Sequence, residues 1–340
     1  MNEERVYILD VIRMLAALSV ALYHYTWFGA DDIERINFGF ISEIFAYGEL
    51  AVQLFFMISG FVIAWSVYNK SAFGFLRSRV LRLYPTYWIC LLATCMVLFF
   101  NQSLDLNVAF FNLTMFQQFV GVAHIDGSYW TLTNEVIFYV YMCLIIKLGL
   151  TSKLMEIFSI HIFLCVVYWV YRIFMHHEPP IVGTLFLLEY GHLFIAGHVL
   201  YRMFFSDLDN SILLCRTILL VSFVLANIEV SHDSQNINKT VISCSIISLF
   251  FLFFIFMNRF SLSRFNKFKI KEISITIGGV SYPFYLLHQE IGYQLFNATN
   301  SWLNLIVCIS SIIFLSYIIN KLLGFVLRRK DSSLESFVRN

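Results

Sequence analysis

Ten stretches of about 18–25 largely apolar residues follow one another along this 340-residue chain, and its basic residues gather in alternate gaps between them. The stretches cover residues 6–28, 44–68, 83–101, 131–149, 157–176, 181–204, 211–229, 240–257, 274–296 and 302–327. Of the 23 Lys and Arg, 19 fall on one side if both termini lie in the cytosol; Arg35, Arg172 and Lys239 fall on the other, and Arg13 sits inside the first stretch. Basic loops stay on the cytosolic side of a membrane, and an odd number of crossings would scatter these charges. The pattern predicts an all-α polytopic membrane protein with about ten transmembrane helices and cytosolic termini. Only 13% of residues are charged, against about 25% in soluble globules, which excludes a soluble enzyme. No cleavable signal peptide is evident, because the first apolar stretch is long and lacks a small-residue cleavage site.

The first stretch, YILDVIRMLAALSVALYHY, carries an acid, a base and an imidazole. Asp10 and Arg13 are neighbours on one helix face. Arg13 and His24 differ by about 20° around the helix and roughly 16 Å along it. A polar stripe of that depth is a functional-site hypothesis, because ionisable groups in a bilayer cost several kcal/mol unless they face protein or water. The alternative is that Asp10 and Arg13 anchor the helix at one interface while His24 caps the other end.

Later stretches repeat the theme. Ser59-Gly60 lies in the middle of the second, as a kink or a point of close packing. The loop FLRSRVLRLYP follows; Arg79 and Arg82 share a face if helical, Arg77 flanks them, and Pro85 admits the third span. These arginines either anchor the chain at anionic lipid or clamp phosphate, which Arg grips bidentately. Residues 102–130 contain no Lys or Arg, and Phe110, Phe111, Phe116 and Phe119 suggest packing into the protein or an interfacial position. The fourth span opens YWTLTNEVIFYVY, with Trp130, Asn134, Glu135 and Tyr139. Glu135 lies at a depth matching His24, so the two either pair, with the carboxylate fixing the imidazole tautomer, or Glu135 meets outside water.

Arg172, His176, His177 and Glu178 cluster beyond the fifth span, and Glu189 and His192 are spaced as neighbours that line a cavity or pack together. In the ninth span, SITIGGVSYPFYLLHQEIGY, Gly278-Gly279 and Pro283 are expected to loosen the helix. Ser281, Tyr282, Tyr285 and His288 then form a hydroxyl-rich stripe around an imidazole. The nine histidines are unclustered, and the seven cysteines (Cys90, Cys95, Cys143, Cys165, Cys215, Cys244, Cys308) form no CxxC pair. Spacing therefore offers no metal site and no redox motif.

Taken together, Asp10-x-x-Arg13 with His24, GELAVQLFFMISGFVI, RSRVLRLYP, YWTLTNEVIFY and GVSYPFYLLH resemble, in order, the acyltransferase family 3 of integral-membrane proteins, which acylate bacterial surface polysaccharides and other glycans. The resemblance implies one transmembrane acyltransferase domain over residues 1–330, a cytosolic tail at 331–340, and a multi-pass protein of the bacterial inner membrane. It implies His24, Glu135 and Arg13 as the catalytic set, with Arg77, Arg79 and Arg82 on the donor. It further implies Asp10, Ser59, Trp130, Tyr139, Ser281, Tyr282, Tyr285 and His288 as residues that line or support the channel. The expected donor is a coenzyme A thioester, acetyl-CoA first, with no permanently bound cofactor. The expected acceptor is a glycan or lipid-linked oligosaccharide; membrane lipid is the other partner, and no nucleic acid is expected. Some relatives append an esterase-like domain; none is seen here, so transfer is expected to finish in the membrane domain or with a partner. The competing class is a proton-coupled transporter, since intramembrane Asp, Arg, Glu and His also build proton relays; against it, no inverted repeat with paired broken helices is visible.

Overall fold

The computed structural model describes residues 7–28, 38–175, 180–205, 211–232, 236–257, 268–296 and 302–338. These residues form α-helices, short 3-10 turns and one π turn, with no strand among them. The helices are α1 (Tyr7–Tyr23), α2 (Phe40–Phe45), α3 (Ala51–Asn69), α4 (Ala72–Phe100), α5 (Leu106–Asn112), α6 (Trp130–Lys147), α7 (Leu154–Met175), α8 (Pro180–Leu185), α9 (Gly191–Phe205), α10 (Ile212–His232), α11 (Ile237–Met257), α12 (Phe268–Leu287), α13 (Glu290–Phe296) and α14 (Trp302–Val338). Arg35, His176, His177, Glu178, Arg259 and Arg264 lie outside the described residues.

Among the described residues, 8 helical segments are long and apolar enough to cross a membrane: Tyr7–Phe28, Phe40–Asn69, Ala72–Phe100, Gly127–Lys147, Thr151–Met175, Ile212–His232, Ile237–Met257 and Trp302–Phe325. They match eight of the ten expected stretches. The stretches at 181–204 and 274–296 are not among them, and each is broken in the structure. The first becomes α8, a turn and α9, whose 15 residues rise about 22 Å against an apolar layer of about 30 Å. The second becomes α12 and α13, parted at His288 and Gln289. The expected loop before the third span is also helical: α4 starts at Ala72 and runs through Pro85. Pro85 thus interrupts the hydrogen-bond ladder inside a helix instead of opening one.

The chain divides into two compact units. One contains Glu49–Arg79 and Trp130–Asn266; the other contains Val6–Gly48, Val80–Tyr129 and Lys267–Asn340. In the first unit α3 packs on α9 and α6, and α10 packs on α7, α9 and α11. Two glycines set the α3–α9 contact. A Cβ on Gly60 would collide with the Phe194 carbonyl, and one on Gly197 with the Met57 carbonyl. Each helix therefore presses its backbone where the other has no side chain, the small-residue packing that substitutes for a hydrophobic drive inside lipid. Of the two readings of Ser59-Gly60, close packing is the one observed, in an unbroken helix. The end of α6 is set locally. Gly149 takes a φ of 69°, and its N–H and that of Leu150 return to the Ile146 and Ile145 carbonyls, as a glycine-capped helix end does.

In the second unit α12 packs on α1 and α14. Gly278 and Gly279 allow this approach: a Cβ on Gly278 would lie 2.5 Å from Asp10 Oδ1, and one on Gly279 would meet the Asn320 amide at 2.6 Å. The pair was expected to loosen the helix, but α12 is continuous through it, because the missing side chains are filled by neighbours.

Candidate functional site

In the second unit, α1 ends at Tyr23 and a π turn carries His24–Phe28. A π turn shifts the following side chains relative to the α-helical register and is frequent at functional sites. His24 is half-buried. Its Nδ1 lies 3.0 Å from Tyr293 Oη, and its ring is 5.3 Å from that of His288 at 47°. No hydrogen bond to its Nε2 occurs among the described residues.

His288 sits where α12 breaks. A carbonyl only accepts, so the 2.6 Å contact of His288 Nδ1 with the Tyr285 carbonyl makes Nδ1 the protonated nitrogen. The ring thereby caps its own helix end. The same Tyr285 carbonyl is also reached by Ser128 Oγ at 3.4 Å, and other carbonyls freed by the break are met from outside the helix: Tyr129 Oη reaches that of Leu286 at 3.4 Å, and Tyr25 Oη donates to that of His288. His288 is fully buried, and its Nε2 has no hydrogen-bond partner among the described residues.

Asp126 locks this break. Its Oδ1 accepts from the Ser128 N–H at 2.9 Å and hydroxyl at 2.5 Å, and its Oδ2 accepts from the Glu290 N–H at 2.9 Å. Burial outweighs these bonds and pushes the carboxyl up to about 6. The rest of the 102–129 segment is held by polar residues too. Asn112 Nδ2 donates to the Val108 and Ala123 carbonyls at 2.8 and 2.9 Å, and its Oδ1 accepts from Ile125 N–H at 3.1 Å. Phe110 and Phe111, expected to pack or lie at an interface, are exposed.

In the first unit the geometry centres on Glu135. Ser59 Oγ donates to its Oε1 at 2.7 Å, Tyr139 Oη donates to the same oxygen, and the two hydroxyls lie 3.2 Å apart. Glu135 itself is half-buried. Arg79 is buried; its guanidinium lies 5.7 Å from the Phe75 ring and 5.8 Å from the Tyr139 ring, with Ser66 Oγ at 3.4 Å. Tyr139 thus borders both the carboxylate and the cation.

A family model described as an acyltransferase domain matches residues 6–321. The chain belongs to acyltransferase family 3. Among curated proteins, Acyltransferase MdmB of Streptomyces mycarofaciens is 34% identical over 91 residues, which cover 26% of this chain and 23% of that relative. The match therefore spans less than a quarter of that relative's length. No solved structure matches.

With the family in hand, the remaining expected positions sort by unit. In the second, Asp10 is buried against Gly278 and meets Arg13 Nη1 at 3.9 Å. Ser281 Oγ bonds back to the Gly278 carbonyl at 2.9 Å, Tyr282 Oη reaches the Leu83 carbonyl and Tyr285 Oη the Ser128 carbonyl, each at 3.5 Å. Arg82 is exposed. In the first, Arg77 is exposed, and half-buried Trp130 lies 5.3 Å from the Tyr190 ring and 6.1 Å from that of Phe56. His24 and Glu135 each have their own partners, described above within their own units.

Three features escaped the reading of the sequence. Asp126 and Asn112 were passed over in a polar segment, although Asp126-x-Ser128 is a turn signal. Glu189 and His192 find partners on other helices: Glu189 Oε1 meets Arg172 Nη1 at 2.8 Å, and His192 Nε2 meets Glu229 Oε2 at 3.3 Å. Gln53 Nε2 completes that buried group by donating to Glu229 Oε1 at 2.9 Å.

Proposed function

We propose that this protein is a membrane-embedded O-acyltransferase. It moves a short acyl group, acetyl in the first instance, from a coenzyme A thioester on the cytosolic side to a hydroxyl of an extracytoplasmic or lipid-linked glycan. The chain would cross a bacterial inner membrane ten times with both termini in the cytosol, α9 and α12 adding the two crossings beyond the eight apolar segments. The observation that carries the reading is His24: an imidazole in a π turn, Nδ1 engaged by Tyr293, Nε2 without a hydrogen bond among the described residues.

In this reading Nδ1–H donates to Tyr293 Oη and Nε2 holds the lone pair. The acceptor hydroxyl gives its proton to Nε2 as its oxygen attacks the thioester carbonyl. The C–S bond then breaks, and the proton passes from His24 to the departing thiolate, so His24 ends neutral. A base positioned in this way is worth about 10²–10⁴-fold. Glu135, with Oε1 already held by Ser59 and Tyr139, is assigned to an acceptor hydroxyl. Exposed Arg77 and Arg82 are assigned to the donor phosphates, and buried Arg79 to a fixed positive field.

The test is surface-glycan O-acetyl content, by NMR, in a deletion strain complemented with wild type or His24→Ala at equal membrane abundance. Acetyl groups restored by wild type alone support the reading. Restoration by both removes His24 from the mechanism. Restoration by neither, with both proteins in the membrane, favours transport over transfer.

A further inference from the structure

His24 and His288 stand 264 residues apart in sequence, too far for any spacing pattern to connect them, yet their rings are 5.3 Å apart. Their nitrogens are disposed alike. Each Nδ1 is taken, one by Tyr293 Oη at 3.0 Å and the other by the Tyr285 carbonyl at 2.6 Å. Each Nε2 is without a hydrogen bond among the described residues, and that of His288 is buried. An orphan nitrogen in a buried ring is unfavourable if nothing meets it. An imidazole whose Nδ1 is oriented by an oxygen and whose Nε2 is open is also the usual state of a metal-ligating histidine.

The ring separation has a specific value in that light. Two imidazoles bound to one tetrahedral ion at about 2.0–2.1 Å have ring centres about 5 Å apart. We propose that His24 and His288 form a two-histidine site for a divalent transition-metal ion of the zinc class, ligated through both Nε2 atoms and completed by water. Half-buried His24 is the open side of the pair; buried His288 is its fixed side. Imidazole donors select zinc, copper or nickel over magnesium and calcium, which take oxygen. An ion held there occupies the nitrogen that the acyl-transfer reading uses as base, so zinc acts as a reversible inhibitor.

Binding is measured without any thioester, so it stands apart from the acyl-transfer reading. The protein in lipid nanodiscs is titrated with Zn²⁺ alone against a chromophoric chelator, and with Co²⁺ for its visible absorption. The expected result is one chelator-reversible Zn²⁺ per chain, unaffected by excess Mg²⁺, and weakened at least about tenfold in His24→Gln and in His288→Gln. Tyr293→Phe, which keeps both ligands and removes an orienting partner, is expected to weaken it about tenfold as well. Wild-type protein that binds no Zn²⁺, or folded His24→Gln and His288→Gln proteins that bind it as wild type does, would overturn the site. Zinc binding without zinc inhibition in a working transfer assay would leave the site and remove His24 as the base.

Discussion

Oδ2 of Asp126 accepts a hydrogen bond from the backbone N–H of Glu290 at 2.9 Å, across 164 residues of chain. The contact ties a loop that reads as connector to the interruption of α12, two residues beyond His288. The geometry of the His288 ring therefore depends on a carboxyl group that belongs to another part of the sequence.

That dependence predicts a pH effect on stability. Burial holds the Asp126 carboxyl at about 6 against an ordinary 3.8. The folded state thus binds the proton more tightly than the unfolded state. Stability on this account is greatest below about pH 4 and falls as pH rises through about 6, by about 3 kcal/mol in all. Thermal unfolding in detergent between pH 4 and 8 should show this slope in wild type and a flatter one in Asp126→Asn. Equal slopes would mean that Asp126 is not the group titrating.

Gly60→Ala should cost more stability than Ser59→Ala, although both add or remove little mass. The new methyl collides with the Phe194 carbonyl, and helix backbones do not yield as flexible side chains do. A loss of about 1–3 kcal/mol is expected, read as a lower unfolding temperature of the purified protein. A Gly60→Ala protein as stable as wild type would show that α3 and α9 are not in this close contact.

Glu135→Gln preserves shape and keeps an oxygen for Ser59 and Tyr139. It should leave abundance and unfolding temperature near wild type while lowering acceptor-dependent coenzyme A release by about 10²-fold or more. Tyr139→Phe, which removes one of two donors to the same oxygen, should cost less. Full activity in Glu135→Gln would assign the carboxylate to packing.

The two arginines should separate cleanly. Arg82 is exposed, so Arg82→Ala is expected to raise the donor KM about tenfold with kcat little changed, the signature of lost uniform binding. Arg79 is buried against two rings and Ser66, so Arg79→Ala should lower the yield of folded protein. An unchanged donor KM in Arg82→Ala would dissolve the phosphate assignment.

The helical class and eight of the membrane segments were legible because apolar run length and loop charge are local quantities. His24, Ser59 and Glu135 stood out as candidate positions, since an ionisable or hydroxyl group inside an apolar run is conspicuous whatever it touches. Partnership was less legible. Helical spacing makes Glu189 and His192 neighbours, but Arg172 and Glu229 sit opposite them on other helices. Gly278 and Gly279 read as loosening residues until the Asp10 carboxylate and the Asn320 amide are seen beside them. Periodicity reports which face a residue shares within its own helix and is silent on what stands across from it.

The burial of α9 bears on how the chain is made. Every residue from Gly191 to Tyr201 is buried, His192 and His198 among them, so lipid touches almost none of this short helix. A segment of 15 residues with two histidines gains little by partitioning from the translocon into hydrocarbon on its own. Its place has to be prepared by α3, synthesised about 130 residues earlier, whose Gly60 already offers bare backbone. Membrane insertion of this protein therefore includes a step in which a helix enters protein rather than lipid, and variants at that seam should reach the membrane at lower abundance than wild type.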